Sequence, residues 1–116
     1  MRERINRLAK GIVDAEQLKI LVTPETITET VHAGEVTRKE LYVAEAQGRF
    51  IKGLVYSSNM RVRLVSDTFG GNRNRVSYEV DSRNLSGADV IEGAFYLVTN
   101  GGERKLPYSF SIDIGA

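Results

Sequence analysis

The fold is decided by Val90-Ile-Glu-Gly-Ala-Phe-Tyr-Leu-Val-Thr99, Asn100-Gly101-Gly102 and Arg104-Lys-Leu-Pro-Tyr-Ser-Phe-Ser-Ile-Asp-Ile114. In the last run Leu106, Tyr108, Phe110, Ile112 and Ile114 share one face, while Lys105, Pro107, Ser109, Ser111 and Asp113 share the other. A period of two puts alternate side chains on opposite faces of a strand. Asn-Gly between two such runs is a strong hairpin signal, because both residues tolerate positive φ. Pro107 has no N–H to donate, which places the start of the return strand near a sheet edge.

The same period recurs upstream. Val76, Tyr78 and Val80 alternate with Ser77, Glu79 and Asp81, and Met60, Val62 and Leu64 alternate with Arg61, Arg63 and Val65. Arg49–Ser57 reads as a further strand, joined to the last by Ser58-Asn59. Leu18–Val22 is a short apolar strand closed by Thr23-Pro24, and Thr26–His32 reads as a second piece of the same edge. Asp67–Asn74, with Gly70-Gly71-Asn72, reads as the most mobile loop, and Asn84–Asp89 as a turn.

One segment reads two ways. Thr37-Arg38-Lys39-Glu40 matches a helix capping box, and Gly48 suits a helix C-terminus. Against this, Leu41-Tyr42-Val43 favours a strand, and every neighbouring segment is β. The strand reading is preferred.

About seven to eight short strands with a turn roughly every ten residues predict an all-β, immunoglobulin-like (fibronectin-III-like) sandwich over residues 18–116. Residues 1–17 differ. Ile5, Leu8 and Ile12 have helical spacing among Arg2, Arg4, Arg7 and Lys10, which suggests a short helical or disordered arm.

Composition narrows the function classes. The 116 residues carry a formal net charge of +1, so no basic excess points to nucleic acid. There is no cysteine, which removes disulfides and thiolate metal sites. No run approaches a membrane span, and no apolar stretch follows the basic start as a secretory signal requires. A cytoplasmic location is the expectation.

The C-terminal half resembles a known type of module. Lys52-Gly53-Leu54-Val55-Tyr56-Ser57-Ser58-Asn59, Gly93-Ala94-Phe95-Tyr96-Leu97-Val98-Thr99-Asn100-Gly101-Gly102-Glu103 and Leu106-Pro107 are similar to bacterial Ig-like or fibronectin-III-like modules. The similarity is sharpest to the N-terminal domain of a family of large uncharacterised bacterial proteins, across most of residues 15–114. The resemblance implies architecture, no catalytic residues and a chain that continues past Ala116. The Cys–Trp–Cys core of antibody domains is absent.

Chemistry has little to work with. His32 is the single histidine and sits at a strand end, so it reads as a solvent-facing turn residue. General-base catalysis needs a positioned partner and a nucleophile, and no Gly-x-Ser-x-Gly elbow is present. Glu25, Glu29, Glu35, Glu40 and Glu45 fall at wet-face or turn positions. No catalytic, cofactor or metal site is expected, and the chain is not expected to be an enzyme.

The candidate interaction residues are Arg61, Arg63, Arg73 and Arg75. Arg61 and Arg63 share one side of a strand, and the others follow across the Gly-rich loop. They suit an acidic protein surface, a phosphate or a polysaccharide acid, unless they only keep edge strands apart. The expected role is a non-catalytic module in protein–protein interaction or a structural spacer, with a protein partner. The alternative is a carbohydrate-binding module, for which Tyr42, Tyr56 and Tyr96 are the only candidate aromatics.

Overall fold

A computed structural model describes residues 18–113 as nine β-strands in two sheets. The strands are β1 (Ile20–Thr23), β2 (Ile27–His32), β3 (Val36–Glu45), β4 (Ile51–Ser57), β5 (Val62–Leu64), β6 (Thr68–Gly71), β7 (Arg73–Asp81), β8 (Val90–Thr99) and β9 (Gly102–Asp113). The four-stranded sheet runs β1-β3-β7-β5 and the five-stranded sheet β2-β9-β8-β4-β6. The immunoglobulin-like sandwich expected from the sequence is present. The N-terminal arm and Ile114 lie outside the described residues.

The β8–β9 hairpin pairs Thr99 with Gly102, so its loop is Asn100-Gly101. The positive φ falls on Gly102 (112°), not on Asn100 or Gly101 as the sequence motif suggests. The loop is shaped by what it touches. The Asn100 side-chain oxygen accepts the Lys52 N–H at 3.1 Å, and a Cβ on Gly101 would meet the Leu18 Cβ at 2.9 Å. Gly101 is glycine because β1 packs against it.

Pro107 stands where the sequence placed it. Parallel β2 covers β9 only from Tyr108 onward, so Pro107 lies on an open stretch of edge. The carbonyl of its partner Ala94 accepts the Ser58 N–H at 3.0 Å, on the β4 side, so the ladder asks no N–H of Pro107.

The segment with the helical cap signals is a central strand. All of Val36–Ala44 is in register with Asp81–Arg73 of β7. Leu41 and Val43 are buried while Glu40 and Tyr42 are exposed, a period of two that no helix can serve. Gly48 keeps its positive φ (81°) but turns the chain from β3 towards β4.

Three readings need correction. Thr26–His32 does not continue the first edge: after the cis Thr23-Pro24 bond the chain changes sheets, so β1 and β2 border different sheets. Residues 67–74 are not one loop. Thr68–Gly71 pairs with Leu54–Ile51 of β4, and a glycine-rich strand carries too few β-forming side chains to be seen locally. Met60 is not on the dry face; it is 88% exposed, because β5 starts only at Val62.

The core lies between the sheets. Tyr78 of β7 meets Phe95 of β8 with ring centroids 4.8 Å apart, and Phe95 meets Tyr108 of β9 at 4.9 Å. Leu41, Val43, Val62 and Val80 from one sheet and Ile51, Val55, Leu97 and Phe110 from the other complete it. At the rim, Lys39 of β3 reaches across to Glu29 of β2 at 2.6 Å and ties the sheets together.

Candidate interaction site

Arg61 and Arg63 flank Val62, whose burial turns both guanidiniums to the outer face of the four-stranded sheet. There β5 pairs with β7, and both side chains meet Asp81 at the end of β7. Arg63 lies 3.3 Å from Asp81 Oδ2, while Arg61 donates to the main-chain carbonyls of Asp81 (3.0 Å) and Arg83 (2.9 Å). Arg83 grips both carboxylate oxygens, Nε to Oδ1 at 3.0 Å and the second nitrogen to Oδ2 at 2.8 Å. The Arg83 guanidinium and main-chain N–H hold the Asp81 carboxyl well below the usual carboxylate range.

Arg73 and Arg75 do not join this cluster. Arg75 is six residues along β7 from Asp81, about 20 Å at strand rise. It faces Glu40 at 3.7 Å, beside the Tyr42 hydroxyl that donates to Glu40 at 3.0 Å. Arg73 pairs in register with Ala44 at the far end of the same strand. The four arginines therefore occupy two places on one face.

Sequence reasoning missed Asp81 as their centre. The available signal was the spacing Asp81-Ser82-Arg83, which repeats the same-face spacing of Arg61 and Arg63. What was not visible was that β5 pairs with β7.

Glu45 corrects a second reading. It is 3% exposed, not on a wet face. Its oxygens accept N–H groups of Lys19, Gln47 and Arg49 and a two-pronged grip from the Arg49 guanidinium at 3.0 and 2.9 Å. The Arg49 guanidinium holds its carboxyl well below the usual range. This carboxylate is spent on fastening the β3–β4 turn to the start of β1. It has no lone pair facing open space for chemistry.

His32 is exposed, as expected, with Nδ1 3.6 Å from Asp113 Oδ2. The Ser82 hydroxyl comes near His32 only at its backbone: it lies within hydrogen-bond reach of the main-chain carbonyls of His32 and Glu35, to either of which its one proton can be donated. The imidazole, carboxylate and hydroxyl therefore form no relay. Among the described residues no three His, Cys, Asp or Glu side chains converge as metal ligands.

The outer face of the five-stranded sheet is different in character. Leu54 and Val98 stand directly opposite each other on β4 and β8, and Tyr56 and Tyr96 form the next pair. Leu54 and Tyr56 are 54% and 55% exposed. The two tyrosine rings stack with centroids 5.3 Å apart and planes at 21°. Lys105 Nζ sits 5.9 Å from the Tyr96 centroid. Tyr42 is on the other sheet.

The residues that carried the family resemblance are structural. Gly93 faces Tyr108 across the ladder, and a Cβ there would stand 2.7 Å from both the Tyr108 hydroxyl and Ser58 Oγ. Ser57 Oγ shares a 2.7 Å hydrogen bond with that hydroxyl, and the Asn59 amide donates to the Glu92 carbonyl at 2.9 Å. The Gly and Ser-Ser-Asn positions thus lock β4 onto the last hairpin.

A family model covers residues 1–116, the whole chain. The chain belongs to the family of unknown function DUF5717, as its N-terminal part. No curated protein matches this DUF5717 chain in sequence. Solved structures match in fold. The ASH/PapD-like domain 7 of human CEP192 superposes with a TM-score of 0.69 at 12% identity, covering 87% of this chain and 89% of that one. A protein of unknown function from Porphyromonas gingivalis gives 0.63 at 13% identity, covering 81% and 46%. A C. elegans MSP family member gives 0.55 at 11% identity, covering 83% and 99%. A family 123 glycoside hydrolase from Clostridium perfringens gives 0.61 at 10% identity, but only 23% of that enzyme is covered. These likenesses place the DUF5717 domain among PapD-like and Ig-like sandwiches and extend to fold alone.

Proposed function

We propose that this domain is a non-catalytic interaction module of a longer protein, and that it contacts another protein domain through the outer face of its five-stranded sheet. The observation that carries the reading is the cross-strand quartet Leu54, Val98, Tyr56 and Tyr96, apolar and aromatic side chains set on a face that the described residues leave uncovered. Exposed apolar clusters with a charged rim favour protein contacts, where tyrosine is enriched. Lys52, Glu103 and Lys105 supply the rim.

The arrangement of the rings counsels against a sugar platform. Sugars stack on open ring faces, whereas Tyr56 and Tyr96 face each other and Lys105 lies over Tyr96. The occupant proposed is a neighbouring domain of the same polypeptide, since the family model describes an N-terminal unit.

The test is a photo-crosslinking amino acid placed at position 56 of the full-length protein, with position 38 on the opposite sheet as control. An intramolecular cross-link from position 56 and none from position 38 supports the reading. Equal yields from both sites, or none from position 56, would refute it.

A further inference from the structure

The cluster at the end of β7 holds more positive charge than its own structure uses. One carboxylate, Asp81, is already gripped at both oxygens by Arg83. Arg63 and Arg61 are added at 3.3 and 4.0 Å from the same carboxylate, leaving a local excess of two positive charges. The neighbouring Arg38–Glu79 pair, at 3.4 Å, balances itself. Glu35, in the turn before β3, reaches this region only through its backbone, which bonds to Ser82.

We infer that Arg61, Arg63 and Arg83 form a binding site for a dianionic phosphate group, free or carried as a monoester. Two negative charges match the local excess, whereas a carboxylate would leave half of it unbalanced. Donors are available. A guanidinium has five N–H groups; Arg63 commits one to Asp81, and Arg61 uses a single terminal nitrogen on the two carbonyls. The side chains are also held in advance by Asp81 and the main chain, which reduces the entropy lost when an anion is gripped.

Access is open as well. The three arginines line a surface depression with Gly34, Met60 and Asn84, and they are 37%, 46% and 58% exposed. A Cβ built on Gly34 would meet nothing within 4 Å, so the depression is open where Gly34 lines it. This site is on the opposite sheet from the apolar quartet and stands independently of it.

The test is calorimetric titration of the full-length protein at low salt with inorganic phosphate, with a phosphoserine peptide and with the same peptide unphosphorylated. Saturable binding of phosphate at pH 7.5, weakened at least tenfold by Arg61→Met and by Arg63→Met, is expected. Circular dichroism melts establish that each variant is folded. Leu54→Lys with Val98→Lys should leave phosphate binding unchanged. A tighter complex with the phosphopeptide identifies a modified protein as the source of the group; a tighter complex with phosphate identifies a free phosphate. Either supports the site.

A pH series adds a readout that a merely structural cluster would not move. A phosphoserine monoester loses its second charge near pH 6 and inorganic phosphate at a somewhat higher pH, so binding of either should weaken from pH 7.5 to 5 while sulfate, dianionic throughout, binds equally at both. Asp81 stays ionised across this range because its partners depress its pKa. Among the described residues, the charged groups around the site besides the cluster itself are Arg38 on β3, Glu79 on β7 and, in the depression beyond Arg61, Asp89, which accepts from the Ser86 N–H; the His32 ring lies against Asp113. His32→Gln therefore should not alter the profile. Absence of saturable phosphate binding, insensitivity to both arginine substitutions, or loss of sulfate in parallel with phosphate would overturn the proposal.

Discussion

At the scale of single residues, two core tyrosines show how burial and hydrogen bonding separate. Tyr78 is 1% exposed, and its hydroxyl has no hydrogen-bond partner among the described residues. Burial pushes its phenol well above the usual range. Tyr108 is buried beside it but bonds to Ser57. Removing an unmade hydrogen bond costs nothing, whereas removing a made one costs about 1 kcal/mol and strands its partner. Tyr78→Phe should therefore melt at or above the parent temperature, and Tyr108→Phe below it. Gly93→Ala should be worse than either, by roughly 1–3 kcal/mol, because the new methyl would press into the Tyr108 hydroxyl and Ser58. Chemical denaturation of the three variants checks the order. The Tyr78 burial was legible in the alternation of Val76, Tyr78 and Val80. The need for glycine at position 93 was not, since it comes from a side chain fifteen residues away.

At the scale of elements, the strands divide by what their patterns could reveal. Long strands with one wet and one dry face, such as β7 and β9, were legible because alternation reports burial directly. The short strand β6 and the true start of β5 were not. Their pairing is supplied by β4 and β7, and four residues containing two glycines have little intrinsic preference of their own. The outer quartet on β4 and β8 belongs to this scale too. Its side chains face away from the core, so Leu54→Lys with Val98→Lys should change the stability of the domain by no more than about 1 kcal/mol. A larger loss in urea unfolding would mean that the quartet packs within the domain and is not a contact face. The arginines follow the same division. That Arg61 and Arg63 share a face was readable from Val62 between them, but the meeting with Asp81 and Arg83 depends on β5 lying beside β7.

For the whole molecule, ion pairs fasten places where the chain changes direction or sheet. Glu45 binds the β3–β4 turn to Lys19, Asp81 gathers three arginines at the end of β7, and Lys39–Glu29 bridges the sheets. The carboxyls of Glu45 and Asp81 are both held below the usual range in the folded chain. Their stabilisation is complete above the unfolded carboxylate pKa, about 4, and is lost as the pH falls below it toward the depressed folded values. The melting temperature should therefore drop between pH 5 and pH 2.5. Glu45→Gln should lower it at pH 7 by more than about 5 °C and flatten the acid dependence. A Glu45→Gln profile parallel to the parent would show that the buried carboxylate does not drive acid unfolding.

The sequence by itself determined that this chain is an all-β sandwich, where the long strands β7 and β9 run and which of their faces are buried, because a period-two apolar pattern has only one way to leave water. It also determined that His32 has no second histidine and no cysteine to work with. Only the tertiary structure decided which strands are neighbours. That choice sent β1 and β2 to different sheets, buried Glu45 beneath Arg49, separated Arg73 and Arg75 from Arg61 and Arg63, and set Tyr56 against Tyr96. The reason is physical: alternation is local and fixes the face a side chain occupies, whereas charge clusters and ring stacks arise between strands far apart in sequence, and their register is set by how the whole core closes.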